Sequence, residues 1–422
     1  MRPPPARTAL KRGTIAAVLV AAFFGLAGCG GKSGDENRVP GTTLTIYSSV
    51  PLHGASSVSA KAVVSGAELA LAQTRGRIGR YHIVLRELDD SNPQRGGWDP
   101  GQTTLDAHQA VQDKTTIGYI GEFNSGASAV SIPLLNRAGI PQISPASTAV
   151  GLTSAGPGAA PGEPDKYYPT GVRTFARVVP NDSVQARAQV QLLRSMGCQK
   201  TYVLDDGEVD GQDTATSFQL AAKGAGLPVL GVQSFNPKAT DYSALATAVA
   251  QTGADCVLLS AITEDNAVLL TKQIASAMPG AQILGSAGLA ESTYTDPADG
   301  GIPTSLDPRV MITVAALGPD PSSPAARAFY AAYRQRFGPA QPYAIYGYEA
   351  MSLMLDAIDR ATDHGSGPAR RSKVVAAIFD TRNRHSVLGT YSIDSRGDTT
   401  LRRYGALRVL DGQLRLWKVL DV

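Results

Sequence analysis

Three pairs of carboxylates, Asp89-Asp90, Asp205-Asp206 and Glu264-Asp265, each stand where an apolar run gives way to a turn. Paired acids can divide general acid and base roles, yet aspartate after a strand is also ordinary turn chemistry. Hydrolysis would further need a nucleophile with its base, or a metal. No Gly-x-Ser-x-Gly elbow occurs. The histidines His53, His82, His108, His364 and His385 are scattered, none at the i, i+4 spacing that sets two ligands on one helix face. Lys32-Ser33 after Gly31 imitates the end of a phosphate loop, but Leu26 stands where the earlier glycine is required. The residues therefore point away from an enzyme, and no metal or cofactor is expected.

Small hydroxyl residues between strands and helices carry a different chemistry. Gly121-Glu-Phe-Asn-Ser125-Gly-Ala-Ser128 follows one strand-like run, and Ser144-Pro-Ala146-Ser147-Thr148 follows the next. In an open parallel sheet, ligands bind at the carboxyl ends of strands, where helix N-termini offer free N–H groups to an anion. Two such loops can hold a carboxylate without a charged side chain. The competing reading makes Ser125 and Thr148 simple helix caps.

The elements that must position these loops follow from periodicity. Short β-rich runs alternate with longer helical ones: Leu44–Ser48, Tyr81–Leu88, Ile117–Ile120 and Pro141–Ser144 as strands, separated by helices at Val58–Thr74, Thr103–Lys114 and Ala127–Ala138. This alternation predicts an α/β fold with parallel sheets flanked by helices. After the Pro- and Gly-rich stretch Ser154–Pro164 the pattern restarts near Phe175–Asp182 and runs through strands at Thr201–Asp205, Val229–Phe235 and Cys256–Ser260, with a helix expected over Asp213–Gly226 between the first two. Asp411-Gly412 predicts a hairpin turn near the end. The expected architecture is two Rossmann-like lobes joined by three crossover segments, near Val178-Val179, Val310-Met311 and His385–Leu388. Lobe 1 would comprise residues 43–178 and 311–385, and lobe 2 residues 179–310 and 386–422. Cys198 and Cys256 each precede an apolar run. They would meet in a disulfide if the runs are neighbouring strands, or else remain two buried thiols.

The N-terminus sets the compartment. Arg2, Arg7, Lys11 and Arg12 precede an apolar run from Ile15 to Leu26, the pattern of a secretory signal. The run is short of the roughly 20 residues that span a bilayer. It ends in Leu26-Ala-Gly-Cys29, which resembles the bacterial lipobox. That resemblance implies a signal peptide over residues 1–28, lipidation at Cys29, and a flexible tether over 29–42, where glycine and charge prevent folding. The 422-residue chain is 43% hydrophobic and 18% charged with a formal charge of +3, so nothing suggests nucleic acid as a partner.

Beyond the tether, Pro51-Leu-His-Gly54, Ser65-Gly-Ala-Glu-Leu-Ala70, Asp89-Asp-Ser-Asn-Pro93, Ala138-Gly-Ile-Pro-Gln-Ile-Ser-Pro-Ala-Ser-Thr148 and Tyr346-Gly-Tyr-Glu-Ala350 fall in one order. In that order the chain resembles the type I periplasmic binding proteins that serve ABC importers for branched-chain amino acids. The resemblance implies a monomeric receptor on the outer face of the membrane, binding a small solute between its lobes and handing it to an ABC permease. A receptor of the same build that senses amides or small acids and signals to a partner is the alternative. In the family a serine after the third strand, and an alanine and a threonine after the fourth, hold the ligand's α-carboxylate. Here these are similar to Ser125, Ala146 and Thr148. Ser147, Glu122, Ser59, Asp206, Ile262, Ser286 and Ala287 complete the candidate set. The family's acid for the α-ammonium is replaced by Ser286 and Ala287. Either Glu291, Glu264, Asp206 or Glu122 substitutes for it, or the ligand is not an amino acid.

Overall fold

In the computed structural model, Met1 and residues 37–156, 158–315 and 323–422 are described. The expected signal peptide, Cys29 and most of the expected tether lie outside the described residues. The compact unit spans Asn37–Val422 and is organised around two sheets.

The first sheet contains β1 (Thr43–Val50), β2 (Arg77–Ile78), β3 (Tyr81–Asp89), β6 (Thr116–Ile120), β7 (Gln142–Ser144) and β8 (Phe175–Arg177), in the spatial order β2-β3-β1-β6-β7-β8. A two-stranded hairpin, β4 (Ser91–Asn92) with β5 (Gly97–Trp98), projects after β3. All strand pairs of the sheet are parallel except β2 with β3. The crossovers are α1 (Ser57–Gln73), α2 (Pro100–Gln112) and α3 (Ser125–Arg137). Asp99 starts α2, its side chain accepting from the Gly101 and Gln102 N–H groups ahead of a proline at the first helical position.

The second sheet has the order β10-β9-β11-β12-β13-β16-β17. It takes in β9 (Thr201–Asp205), β10 (Val229–Ser234), β11 (Cys256–Ser260), β12 (Gln282–Gly285) and β13 (Val310–Val314) in parallel. Around these strands run α4 (Asp182–Ser195), α5 (Val209–Ala225), α6 (Ser243–Gln251), α7 (Val268–Ala277) and the short α8 (Ser292–Thr295). The chain then returns to the first sheet's side through α9 (Pro324–Phe337), α10 (Ala344–Ala361) and α11 (Arg371–Phe379). The small hairpin β14 (Arg384–Ser386) with β15 (Gly389–Tyr391) follows. Last, β16 (Arg403–Leu410) and β17 (Gln413–Asp421) add antiparallel to the second sheet through the Asp411-Gly412 turn.

Helix α10 packs along α1 at backbone contact. A Cβ at Gly66 would fall 2.0 Å from the Ala344 carbonyl oxygen, and one at Gly347 would fall 2.0 Å from that of Val63. Glycine is required at both positions because the opposing backbone cannot yield.

Two expected crossings lie elsewhere. Val310-Met311 belongs inside β13, where the fully buried run Val310–Val314 is captured between β12 and β16. Met311–Val314 thus sit in the second sheet rather than with the residues that follow. His385–Leu388 is part of the β14–β15 hairpin, which is fastened to α10 where Arg384 and the Tyr391 hydroxyl both donate 2.7 Å hydrogen bonds to Glu349. The described chain passes between the two layers at 178–181 and 392–402, and a third time between β13 and α9. Cys198 and Cys256 form a disulfide with a Cα–Cα distance of 5.9 Å. The parallel pairing of β9 with β11 brings them together.

Candidate functional site

Both sheets change strand order beside their first strand. β1 lies between β3 and β6, and β9 lies between β10 and β11. Such switch points open a crevice at the strands' carboxyl ends, and the loops leaving β6, β7, β9, β11 and β12 meet there. Between them is a small cavity of ≈ 40 Å³ lined by Trp98, Phe123, Asn124, Ser125, Thr148, Glu208, Asp210, Ile262, Ala287 and Tyr343, among others.

Asp210 is the centre of this contact. It stands in the first turn of α5, where a carboxylate is favoured by the helix dipole. Its Oδ1 accepts from the Ser125 hydroxyl at 2.8 Å and the Thr148 hydroxyl at 2.9 Å. The Ser125 oxygen in turn accepts from the backbone N–H groups of Thr148 (3.1 Å) and Ala149 (3.2 Å), which locks the two first-sheet loops into one receptor. A carboxylate of the second lobe thus fills the place expected for a ligand's carboxylate. Burial pushes the Asp210 carboxyl up, while its two hydroxyl partners and the charge of Arg177 oppose the rise.

The same pattern repeats along the interface. The Ser59 hydroxyl donates to Glu291 at 2.9 Å, and the Ser56 hydroxyl to both oxygens of Glu264 at 3.2 Å. The Gly151 N–H donates to Asp213 at 3.1 Å. Burial pushes Glu291 up to about 8, with Glu264 adding to the rise, and Glu264 itself up to about 7. Asp213 is likewise pushed up to about 7 by burial. Arg95 also reaches this interface, its guanidinium 3.4 Å from Glu208 and 5.6 Å from the centroid of the Trp98 ring.

Arg177 braces the receptor loop from behind. Fully buried, it donates to Asp398 at 2.7 Å, to the carbonyls of Ser147 (3.1 Å) and Ala149 (2.7 Å), and to the Thr153 hydroxyl at 2.7 Å. Burial would raise the Asp398 carboxyl, but Arg177 holds it below the ordinary range.

Of the expected residues, Ser125, Ala146, Thr148, Ile262 and Ala287 line the cavity. Ser147 turns into the first lobe, bonded to Ser128 and the Glu122 carbonyl. Glu122 is buried behind the cavity with Tyr119 donating to it, and burial pushes it up to about 8. Asp206 ties the turn after β9 to the loop after β11 by accepting from the Glu208 and Ile262 N–H groups, and Ser286 ties its loop to Ala261. Ser59 lines a separate cavity of ≈ 520 Å³ beside the β16–β17 hairpin. Sequence reasoning missed Asp210, Glu208 and Trp98. The first two stand after β9 in the position that singled out Ser125 after β6, but reading α5 as starting at Asp213 hid them. Trp98 comes from a two-residue strand too short to carry a period. Among the described residues, the one close group of potential metal ligands is Cys198, Asp255 and Cys256, and both sulfurs are consumed by the disulfide.

The family model for periplasmic binding proteins matches residues 43–413, nearly the whole two-sheet body. The chain belongs to the periplasmic binding protein family. Its members are extracytoplasmic solute-binding proteins and not enzymes, and this chain has the two-lobe fold of the type I members. It is 24% identical over 375 residues to Leu/Ile/Val-binding protein homolog 3 of Brucella melitensis, covering 88% of this chain and 92% of that one. The leucine binding protein of Thermotoga maritima superposes with a TM-score of 0.73 at 21% identity, over 90% of this chain and 99% of that one. A solute binding protein of R. palustris in complex with 4-hydroxybenzoate gives 0.72 at 16% identity, over 90% and 97%. These structural likenesses concern the fold. No helix among the described residues is long and apolar enough to cross a membrane.

Proposed function

We propose that this protein is the solute-binding lipoprotein of an ABC importer, held outside the cytoplasmic membrane through Cys29 and closing over a small amino-acid-like solute. Lobe 1 would comprise residues 43–178 together with the segment from α9 to β15, and lobe 2 the remainder of the two-sheet body, with the three connections acting as hinges. The observation that carries the reading is the convergence of Ser125 and Thr148 from one lobe on Asp210 from the other, in a cavity at the strand ends of both sheets. A solute enclosed there must find polar partners in both halves. The amino-acid class is supported by the printed names of the Leu/Ile/Val-binding relatives, and the permease partner by the family.

Replacing Thr148 with leucine puts an apolar side chain where a hydroxyl faces the cleft. Ligand-induced stabilisation is expected to disappear in a thermal-shift assay, and an unchanged shift counts against the site. The anchor has its own test. The wild-type protein should partition into the detergent phase and Cys29→Ser into the aqueous phase, whereas equal partitioning removes the lipid from the reading.

A further inference from the structure

We propose that the β16–β17 hairpin is a membrane-contacting face, which sets Leu410, Leu416 and Trp417 into the surface of an anionic phospholipid bilayer with Arg408, Arg415 and Lys418 against the headgroups. The inference draws on the extracytoplasmic place of the family and is independent of the lipid at Cys29.

A fault in the ladder builds the face. β17 is the last strand of the second sheet. Its pairing with β16 slips between Ala406, opposite Lys418, and Leu407, opposite Leu416, which leaves Trp417 as an extra residue. A bulge of this kind re-aims side chains. Arg415, Leu416, Trp417 and Lys418 are exposed in succession, where a regular strand over a core would alternate. Trp417 is 38% exposed, Leu416 42% and, across the turn, Leu410 54%. Large apolar side chains gathered on one exposed element mark a contact surface.

Charge decides what is contacted. The register sets Arg408 directly opposite Arg415, a like-charge cross-strand pair that is unfavourable until an anion lies over it. The Arg408 guanidinium stands 4.0 Å from the centroid of the Trp417 ring, so cation and indole are presented together. Lys418 adds a third exposed cation, and the acids of the hairpin are Asp411 in the turn and Asp421 at the far end. Indole, leucine and basic side chains on one surface suit the boundary between headgroups and acyl chains, and anionic lipid attracts the cations. A second copy of the chain fits worse. Antiparallel pairing of two β17 edges centred on Leu416-Trp417 would set Arg415 of one against Lys418 of the other.

The chain has two tryptophans, and Trp98 is buried in the interlobe cleft, so Trp417 emission reports on the contact. Fluorescence titration and sedimentation with vesicles use the full chain carrying Cys29→Ser, which lacks the anchoring thiol. With equimolar phosphatidylglycerol and phosphatidylcholine, emission should shift to the blue and be quenched by brominated acyl chains. Binding should be at least tenfold tighter than to phosphatidylcholine alone and should weaken in high salt. Arg415→Glu with Lys418→Glu should weaken it at least tenfold, and Trp417→Phe should abolish the blue shift. Equal affinity for the two vesicle compositions, a blue shift that survives Trp417→Phe, or no binding to either vesicle overturns the inference. A double variant that binds vesicles like the wild type yet slows solute uptake by cells also overturns it, and assigns the face to a protein partner.

Discussion

Glu291 shows what burial does to one residue at the lobe interface. It is enclosed with Ser59 as donor, and burial, with Glu264 nearby, pushes its carboxyl up to about 8. Its folded-state pKa therefore lies above the unfolded value, so the folded protein retains a proton that the unfolded chain gives up. The stability this supplies is full below the ordinary carboxylate range and is lost as pH rises through about 8. Glu264, pushed up to about 7, acts in the same direction. Melting temperature should fall by several degrees between pH 5.5 and 8.5, and Glu291→Gln should flatten that slope. Differential scanning calorimetry across this range checks it, and a melting temperature that climbs with pH would refute the assignment.

At the scale of elements, the Arg177 network joins β8 to the 394–398 turn and to the loop that presents Thr148. Replacing Arg177 with leucine leaves Asp398 buried without its cation and frees three acceptors, at a cost of about 3–5 kcal/mol. Urea unfolding should show this, with ligand affinity lost along with stability because the Ser147 and Ala149 carbonyls are no longer held. The disulfide acts on a different pair of elements. It closes a 58-residue separation between the turn before β9 and the start of β11. Changing both cysteines to serine is expected to lower stability by roughly 2–4 kcal/mol, again by urea titration. The element pattern was largely legible beforehand: β9 and β11 begin and end where the apolar runs do. Helix starts were less so. α5 begins at Val209 instead of Asp213, because its first turn carries Asp210, a residue whose intrinsic preference is for turns and caps. β13 read as a crossing because a five-residue apolar run bears no sign of which sheet will take it.

For the whole molecule, the lobes meet through second-lobe carboxylates on first-lobe hydroxyls and N–H groups. At low pH, protonated carboxyls tolerate that arrangement. Above pH 8, with Asp213, Glu264 and Glu291 past about 7, 7 and 8, mutual repulsion favours separation of the lobes. The ligand-free protein should then show a larger radius of gyration by small-angle scattering at pH 9 than at pH 6, and added ligand should reverse the expansion. Identical profiles at the two pH values would mean that these acids do not govern closure.

The sequence by itself determined the α/β class and the family likeness, and it singled out Ser125, Ala146 and Thr148, because strand and helix periods and the loops at strand ends are local properties of the chain. It also set the expectation of a lipid anchor, through the spacing of charge, apolar run and Cys29. Only the tertiary structure decided which acid faces those hydroxyls. Asp206, Asp210, Glu264 and Glu291 lie on three different loops of the second lobe, and nothing local distinguishes the one that crosses to Ser125 and Thr148 from one that stays bonded among loops of its own lobe. That choice depends on how two sheets, each folded around its own switch point, are brought face to face.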